Sequence, residues 1–387
     1  MFNCGIDIAK NKHWARVVNS NGQTIVEPFE FENNHKGFKF LLDQVKHLDL
    51  TNILFSMEST GHYDRTLSKF LLKNNCKIGS INPLQTNALR KVEIRKTKND
   101  KIDTGIIAKC ALLGNFSTVN ESDPLLEELK SLTRFREQLV KDRTRAKLRL
   151  VSCLDQSFPE LDSFFKGNLH LDTSYALLEK YSLPTDLKNV RIDTLITLLS
   201  TNSKGRYSKE EASKLKDLAK DSIGINNPSL SIQIKLLIKQ IKLLNEQIEE
   251  IESKTKSIMD ELDSVILSIP GISYTLGSII LSEITDINNF SESCKLLAFA
   301  GLDPSVIQSG NFNAPSTKIS KRGSSSLRYA LVKAASLIIR YNDTFNKYYT
   351  EKRNQGKDYY CALGHVAHKL VRVIFHLLKN NEVFNLE

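Results

Sequence analysis

The sequence predicts an α/β plus α fold, a sheet domain giving way to a mostly helical remainder, and three observations carry that reading. Through the first 115 residues, short apolar runs bounded by turn residues alternate with stretches of helical spacing. From Leu230 a heptad seam runs for about five repeats. Beyond residue 266 the chain reads as helical on either side of one loop rich in Gly, Ser, Pro and basic residues.

Taken in order, "NCGIDIA" is a short apolar strand that meets an acid, Asp7. "HWARVVNSNGQTIVEPFEFE" reads as two strands joined by a turn at Asn19 to Gly22. "HKGFKFLLDQVKHL" has helical spacing, with Phe38, Leu41, Leu42 and Val45 on one face. "NILFSME" is a buried strand, "DRTLSKFLLKNN" a helix and "CKIGSINP" a further strand, and a helix covers 101–114. The order βββαβαβ then α, with acids at strand ends, fits an RNase H-like mixed sheet.

Residues 124–157 read as one long basic helix closed by Pro159, and 160–227 as several short helices. One of these opens on a capping box, Ser208 with Glu211, and the region shows no chemistry of its own. The seam of Leu230, Ile234, Leu237, Ile241, Leu244, Ile248, Ile251, Thr255, Ile258, Leu262 and Val265 must be buried against another helix. Helix 124–157 can supply that partner in cis and a second subunit in trans, and the expectation is both, with a homo-oligomer, dimer or tetramer. The division expected is a catalytic sheet domain over 1–115, a helical linker with coiled-coil helices over 116–265, and a mostly helical C-terminal domain over 266–387.

Bulk composition narrows the function classes. Hydrophobic residues make up 41% of 387, enough for two or three cored domains. No apolar run is expected to approach the ~20 residues of a bilayer span, and the N-terminus reads as a strand rather than a signal peptide. Cys4, Cys76, Cys110, Cys153, Cys294 and Cys361 are scattered without a C-x-x-C pair, which favours buried thiols in a reducing cytoplasm over disulfides or zinc. A cytoplasmic protein with no membrane partner is the expectation. The net charge of +10 is clustered: residues 90–101 hold six basic and two acidic groups, and residues 134–149 seven and two. Clustering on that scale points to phosphate contacts and a nucleic-acid partner. The cations singled out are Arg90, Lys91, Arg95, Lys96, Lys98, Arg134, Arg143, Arg145, Lys147 and Arg149, with Lys318, Lys321, Arg322 and Arg328 in the C-terminal loop.

Two constellations can carry chemistry. Asp7 and Glu58 end strands, and Asp100 and Asp103 share a face at i and i+3 if "DKID" opens a helix. Read alone, each is also an ordinary loop or solvated-face acid. Read together, four carboxylates at one sheet edge repel unless cations sit between them, and hard oxygen ligands favour Mg²⁺ or Mn²⁺. Two ions roughly 4 Å apart would clamp a phosphate while nearby lysines hold the backbone. Ser309, in "QSGNFNAPSTKISKRGSSSLR", is by itself a turn serine; the cations around it make a phosphodiester attack conceivable. "SIPGIS" reads equally as a helix-hairpin-helix phosphate contact or a plain helix start. His62, His365, His368 and His376 lack metal-ligand spacing, and Tyr341, Tyr348, Tyr349, Tyr359 and Tyr360 read as core or interface, with base stacking open.

The chain resembles the DEDD-type insertion-sequence transposases, the family that also contains the pilin gene inverting recombinases. The likeness spans nearly the whole length and rests on "GIDIAK", "MESTGHY", "INPLQTNALR", "TKNDKIDT", "AFAGLDPSVIQSG" and "ISKRGSSSLRYALVKAA". The family's K-T-D-x-x-D-A stands here as Lys98 to Thr104, departing at Asn99 and Thr104 and keeping both acids. The resemblance implies a RuvC-like N-terminal domain, with Asp7, Glu58, Asp100 and Asp103 as a metal-binding tetrad. It implies Ser309 as a nucleophile that links transiently to DNA, at an active site shared between subunits. It also implies double-stranded element-end and target DNA as substrates, and a structured guide RNA encoded beside the gene.

The function expected is therefore a transposase or site-specific recombinase working by metal-assisted phosphoryl transfer. A RuvC-type junction nuclease that uses water is the rival enzyme. A non-catalytic nucleic-acid-binding protein is the rival from another class.

Overall fold

The computed structural model describes residues 1–58, 62–92, 99–120, 123–305, 308–309, 312–313 and 318–385; at 92, 308–309 and 312–313 it describes the backbone alone. The chain divides into two compact units, Met1–Ser122 and Asp123–Glu387.

The first unit is a six-stranded mixed sheet with helices against it. Its elements are β1 (Phe2–Asp7), β2 (Lys12–Val18), β3 (Thr24–Glu32), α1 (His35–Val45), β4 (Ile53–Glu58), α2 (Asp64–Lys73), β5 (Lys77–Ile81), α3 (Pro83–Val92), α4 (Asp100–Leu112) and β6 (Ser117–Val119). Strand order is β3-β2-β1-β4-β5-β6. The central β1, β4 and β5 run parallel, and β2, β3 and β6 are antiparallel to their neighbours. The parallel strands are nearly continuous apolar runs because both faces are covered. The turn predicted at Asn19 to Gly22 joins β2 to β3, closed by the Gly22 N–H on the Asn19 carbonyl at 3.0 Å. Two elements lie beyond the sequence expectation, helix α3 and edge strand β6. Helix α4 packs directly on β1 because Gly5 has no side chain. A Cβ there would lie 2.2 Å from the Thr104 carbonyl oxygen.

The second unit opens with α5 (Pro124–Ser157), the basic helix. Five short helices follow: α6 (Glu160–Phe164), α7 (Asp172–Lys180), α8 (Pro184–Lys188), α9 (Ile192–Ser203) and α10 (Lys209–Asp221). Then comes α11 (Pro228–Leu262), which carries the heptads. Helices α5 and α11 form an antiparallel hairpin, since their cross-contacts run in opposite directions. Glu128 meets Lys254 at 3.5 Å, Arg136 meets Glu252, and Arg143 donates to Asn245 at 2.8 Å. The seam is thus buried in cis. Ile238 is fully buried where the reading had Leu237, which is only partly covered. Thr255 is buried, and its hydroxyl has no partner among the described residues.

The remaining elements are α12 (Tyr274–Ile284), α13 (Ser293–Phe299), the two-residue strands β7 (Gln308–Ser309) and β8 (Phe312–Asn313), α14 (Ser325–Tyr341), α15 (Asp343–Asn354) and α16 (Tyr359–Asn380). Helices α12 to α16 enclose one core with Leu129 of α5 and with Ile258 and Met259 of α11. In "SIPGIS", Ile269 and Ile272 are buried in that core and α12 starts only at Tyr274, so Pro270 does not open the helix. Helix α16 is long and apolar enough by length and composition to cross a membrane, although Lys369 and Arg372 interrupt its apolar residues. Here its Val366, Leu370, Val371 and Ile374 are buried in the helical core.

Candidate active site

In the first unit the four predicted acids come to one end of the sheet without closing on one another. Asp7 and Glu58 are the last residues of adjacent parallel strands, and the register pairs Ile6 with Met57 immediately before them. The first turn of α4 lies at the same end. Asp7 pairs across β2 with Trp14, and the Lys101 ammonium sits 5.0 Å from the centre of the Trp14 ring. Arg16 donates to the Lys101 carbonyl at 3.2 Å. Asn99 caps α4 by accepting from the Ile102 N–H at 2.8 Å. Within that turn Asp100 is exposed and Asp103 is buried, at 6% exposure.

Helix α3 engages two of the four acids. The hydroxyl of buried Thr86 lies within hydrogen-bond reach of both Glu58 and the Pro83 carbonyl and donates its one proton to either. One turn later, Arg90 donates to Asp103 at 2.9 Å through one terminal nitrogen and to Asn87 at 2.9 Å through the other. Its Nε is buried without a partner among the described residues. Among the described residues no three His, Cys, Asp or Glu side chains stand together as a metal cluster. The donor chemistry suits Mg²⁺ or Mn²⁺, being all carboxylate oxygen. One oxygen of Glu58 and one of Asp103 are thus already engaged, by Thr86 and Arg90.

In the second unit Ser309 lies in β7, where its backbone pairs with Phe312 of β8; its hydroxyl is outside the described atoms. The stem below this hairpin is well held. Pro304 bridges Ile319, the Ser305 N–H donates to the Lys318 carbonyl at 2.7 Å, and the Ser320 N–H donates to the Asp303 carbonyl at 2.8 Å. His368 of α16 donates from Nε2 to the Leu302 carbonyl at 2.8 Å, since a carbonyl can only accept. Gly323 sits at φ 152° with room for no Cβ, which would come 2.2 Å from the Phe299 carbonyl oxygen.

The start of α14 is tied to α5 and α12. Ser324 caps α14 on the Leu327 N–H at 3.1 Å and donates to Glu283 at 2.9 Å. Glu283 accepts from Arg134 Nε at 2.9 Å and from a second guanidinium nitrogen at 3.2 Å. One turn along each helix, Ser326 donates to Glu137 at 2.6 Å. Burial pushes the Glu283 carboxyl up, but Arg134, the charge of Lys130 and the Ser324 bond outweigh it and hold it below the usual glutamate range. The sequence did carry a signal for Glu283, a lone acid inside the apolar helix "YTLGSIILSEI". Arg90, singled out in the sequence as a phosphate contact, is engaged by Asp103 instead, and for Thr86 the only signal is its i, i+4 spacing from Arg90.

The predicted phosphate contacts divide by whether a protein group engages them. Arg134 is engaged by Glu283, Arg143 by Asn245, Arg145 by Asp142 at 3.2 Å, and Arg328 by the Ala300 carbonyl at 3.0 Å. Lys147 is half-buried, and burial lowers its pKa. Lys91, Arg149, Lys318, Lys321 and Arg322 are exposed, and Arg95, Lys96 and Lys98 lie outside the described residues. Cys4, Cys76, Cys110 and Cys153 are buried thiols, while Cys294 and Cys361 are exposed.

Two family models match the chain in order. One, described as a transposase of the DEDD type from IS110, covers residues 4–159, and the other, the transposase IS116/IS110/IS902 family, covers residues 263–350. The chain is similar to the 44.8 kDa protein of insertion element IS116 from Streptomyces clavuligerus, 23% identical over 98% of this chain and 95% of that one. It is similar to the 43.6 kDa protein of IS110 from Streptomyces coelicolor, 21% identical over 98% and 94%. A pilin gene-inverting protein from Moraxella lacunata is 30% identical over 36% of this chain and 45% of its own length.

Proposed function

The chain belongs to the IS116/IS110/IS902 family of transposases, enzymes that cut and rejoin DNA, and from that premise we propose that it moves an insertion sequence by metal-assisted phosphoryl transfer. The observation that carries this reading is the common sheet end of Asp7 and Glu58 with the α4 turn bearing Asp100 and Asp103. These four carboxylates would hold Mg²⁺ or Mn²⁺, two ions in the fullest arrangement, in a RuvC-like domain. Such ions would supply positive charge to the phosphate and ease deprotonation of the attacking hydroxyl.

The rest of the chemistry falls to the protein's own groups. Ser309 attacks the phosphodiester and the DNA 3′-oxygen leaves, giving a serine-linked 5′-phosphate that a later hydroxyl resolves. Lys318, Lys321 and Arg322 neutralise the phosphate from the loop beside it. The stem anchored at Leu302, Asp303 and Lys318 limits how far the serine can wander, which favours attack geometry. Target choice by a structured guide RNA, and a site shared between subunits in a cytoplasmic dimer or tetramer, complete the proposal.

The test uses end-labelled element-end DNA with the flanking RNA and Mg²⁺. Wild-type protein is expected to retain label on a denaturing gel. Ser309→Ala should lose the adduct and Asp100→Asn should lose all cutting. Cutting by Ser309→Ala with no adduct from either protein would instead identify a water-using junction nuclease.

A further inference from the structure

We infer that the solvent face of α14 is a second DNA contact, a basic rail leading away from the serine hairpin on which Tyr329 stacks an unpaired base. The inference rests on the strand-transfer reading for its choice of DNA as partner. Its physical basis is separate.

From Lys318 to Asn342 the chain contains six basic residues and no acidic one. Along this stretch no acid of its own neutralises the cations. On α14 the buried positions are Leu327, Ala330, Leu331, Ala334, Ala335 and Ile338. At 3.6 residues per turn, the opposite side presents Ser325, Tyr329, Lys333, Ser336 and Arg340 in one narrow stripe. Lys333 and Arg340 are exposed and pair with no acid among the described residues. The stripe begins three residues after exposed Arg322, at the foot of the serine loop, and runs about 25 Å. That length matches several phosphates in succession.

Tyr329 is the anomaly in the stripe. It is 60% exposed, and no described ring or cation stacks on it. By contrast, Tyr348 on the next helix is partly buried against the core with Lys352 and Lys369 over its ring. A bare aromatic face between cations is the arrangement that holds single-stranded nucleic acid, stacking giving affinity and phosphate contacts giving register. Its place beside the serine loop fits a base unpaired next to the cut. Duplex DNA offers the rail its phosphates but offers Tyr329 no free base face.

The test measures binding by full-length protein without divalent ions, so that nothing is cut. The probes are a short fluorescein-labelled DNA strand, the matching duplex and the RNA strand of the same sequence. Tyr329→Ala is expected to weaken single-strand DNA binding about tenfold and duplex binding less than twofold, with Tyr329→Phe close to wild type. Lys333→Gln with Arg340→Gln should weaken both DNA forms and reduce the salt slope by about one to two. All these positions are exposed, so unchanged melting curves are expected. Unaltered single-strand binding by Tyr329→Ala, or equal losses on strand and duplex, would overturn base stacking. Loss in Tyr329→Phe would overturn it too, by assigning the role to the hydroxyl. A Tyr329 dependence seen with RNA and not with DNA would overturn the choice of partner. Because nothing is cut in this assay, its outcome does not depend on the covalent step, so failure of the covalent mechanism and failure of the rail give separate results.

Discussion

Glu283 is the most constrained single residue in the second unit. Its side chain is 2% exposed, yet it accepts three hydrogen bonds and joins α5, α12 and the start of α14. A buried acid held below its ordinary pKa gives stability that is complete above the unfolded value and lost as pH falls through the folded one. Wild-type melting temperature should therefore drop as pH falls below about 4.5, the ordinary value. Glu283→Gln keeps the shape and removes the charge. It should cost about 1–2 kcal/mol at neutral pH, a discounted figure because Arg134 is half-exposed and water can screen it. Its acid limb should also be shallower than wild type. Parallel melts across that pH range decide it, and superimposable profiles would show that Glu283 is not the group responsible.

At the scale of elements, α3 governs the acid site. By holding Glu58 through Thr86 and Asp103 through Arg90, it keeps two carboxylates occupied by protein donors. A divalent ion has to compete with the Arg90 guanidinium for Asp103. Arg90→Ala removes the competitor and leaves a buried carboxylate short of a cation. The variant should melt lower than wild type in chelator, by about 1–3 kcal/mol, and gain more from added Mn²⁺. An equal Mn²⁺ shift in the two proteins would remove Asp103 from the metal set. None of this was legible from α3 itself. In its segment "PLQTNALRKV" the apolar Leu84 and Ala88 stand at i, i+4 yet are exposed while Thr86 is buried, so the pattern points away from the buried face, and β6 is only three residues long. Sequence pattern reports the face a helix must bury, so the long heptads of α11 were legible except at Leu237, where Ile238 is buried instead, and at Val265, which lies beyond the helix end at Leu262. It does not report which distant acid an arginine will meet. Arg134 and Glu283 are 149 residues apart, and Arg136 and Glu252 are 116. A basic run therefore looks like free phosphate contacts until folding spends some of it internally. The strand-end acids were legible because a strand's direction fixes which end its last residue occupies.

For the whole molecule, the sharpest consequence follows from the acids and the serine belonging to different compact units. If each active site takes its carboxylates from one subunit and Ser309 from another, two separately dead proteins can repair each other. In a mixed dimer of Asp100→Asn and Ser309→Ala, one site receives both defects and the other receives neither. Random mixing makes half of the dimers mixed, so roughly a quarter of the wild-type sites should recover. If both halves of a site come from one chain, every site in every dimer retains one defect and mixing restores nothing. The readout is the DNA adduct on a denaturing gel, with Asp100→Asn distinguished by a size tag. Recovered label must then sit on the tagged chain alone, because only that chain keeps Ser309. Label on the untagged chain would mean that a residue other than Ser309 is the nucleophile. An absence of label after subunits have demonstrably exchanged would confine the chemistry to a single chain, and the loop and sheet end would then have to meet within it.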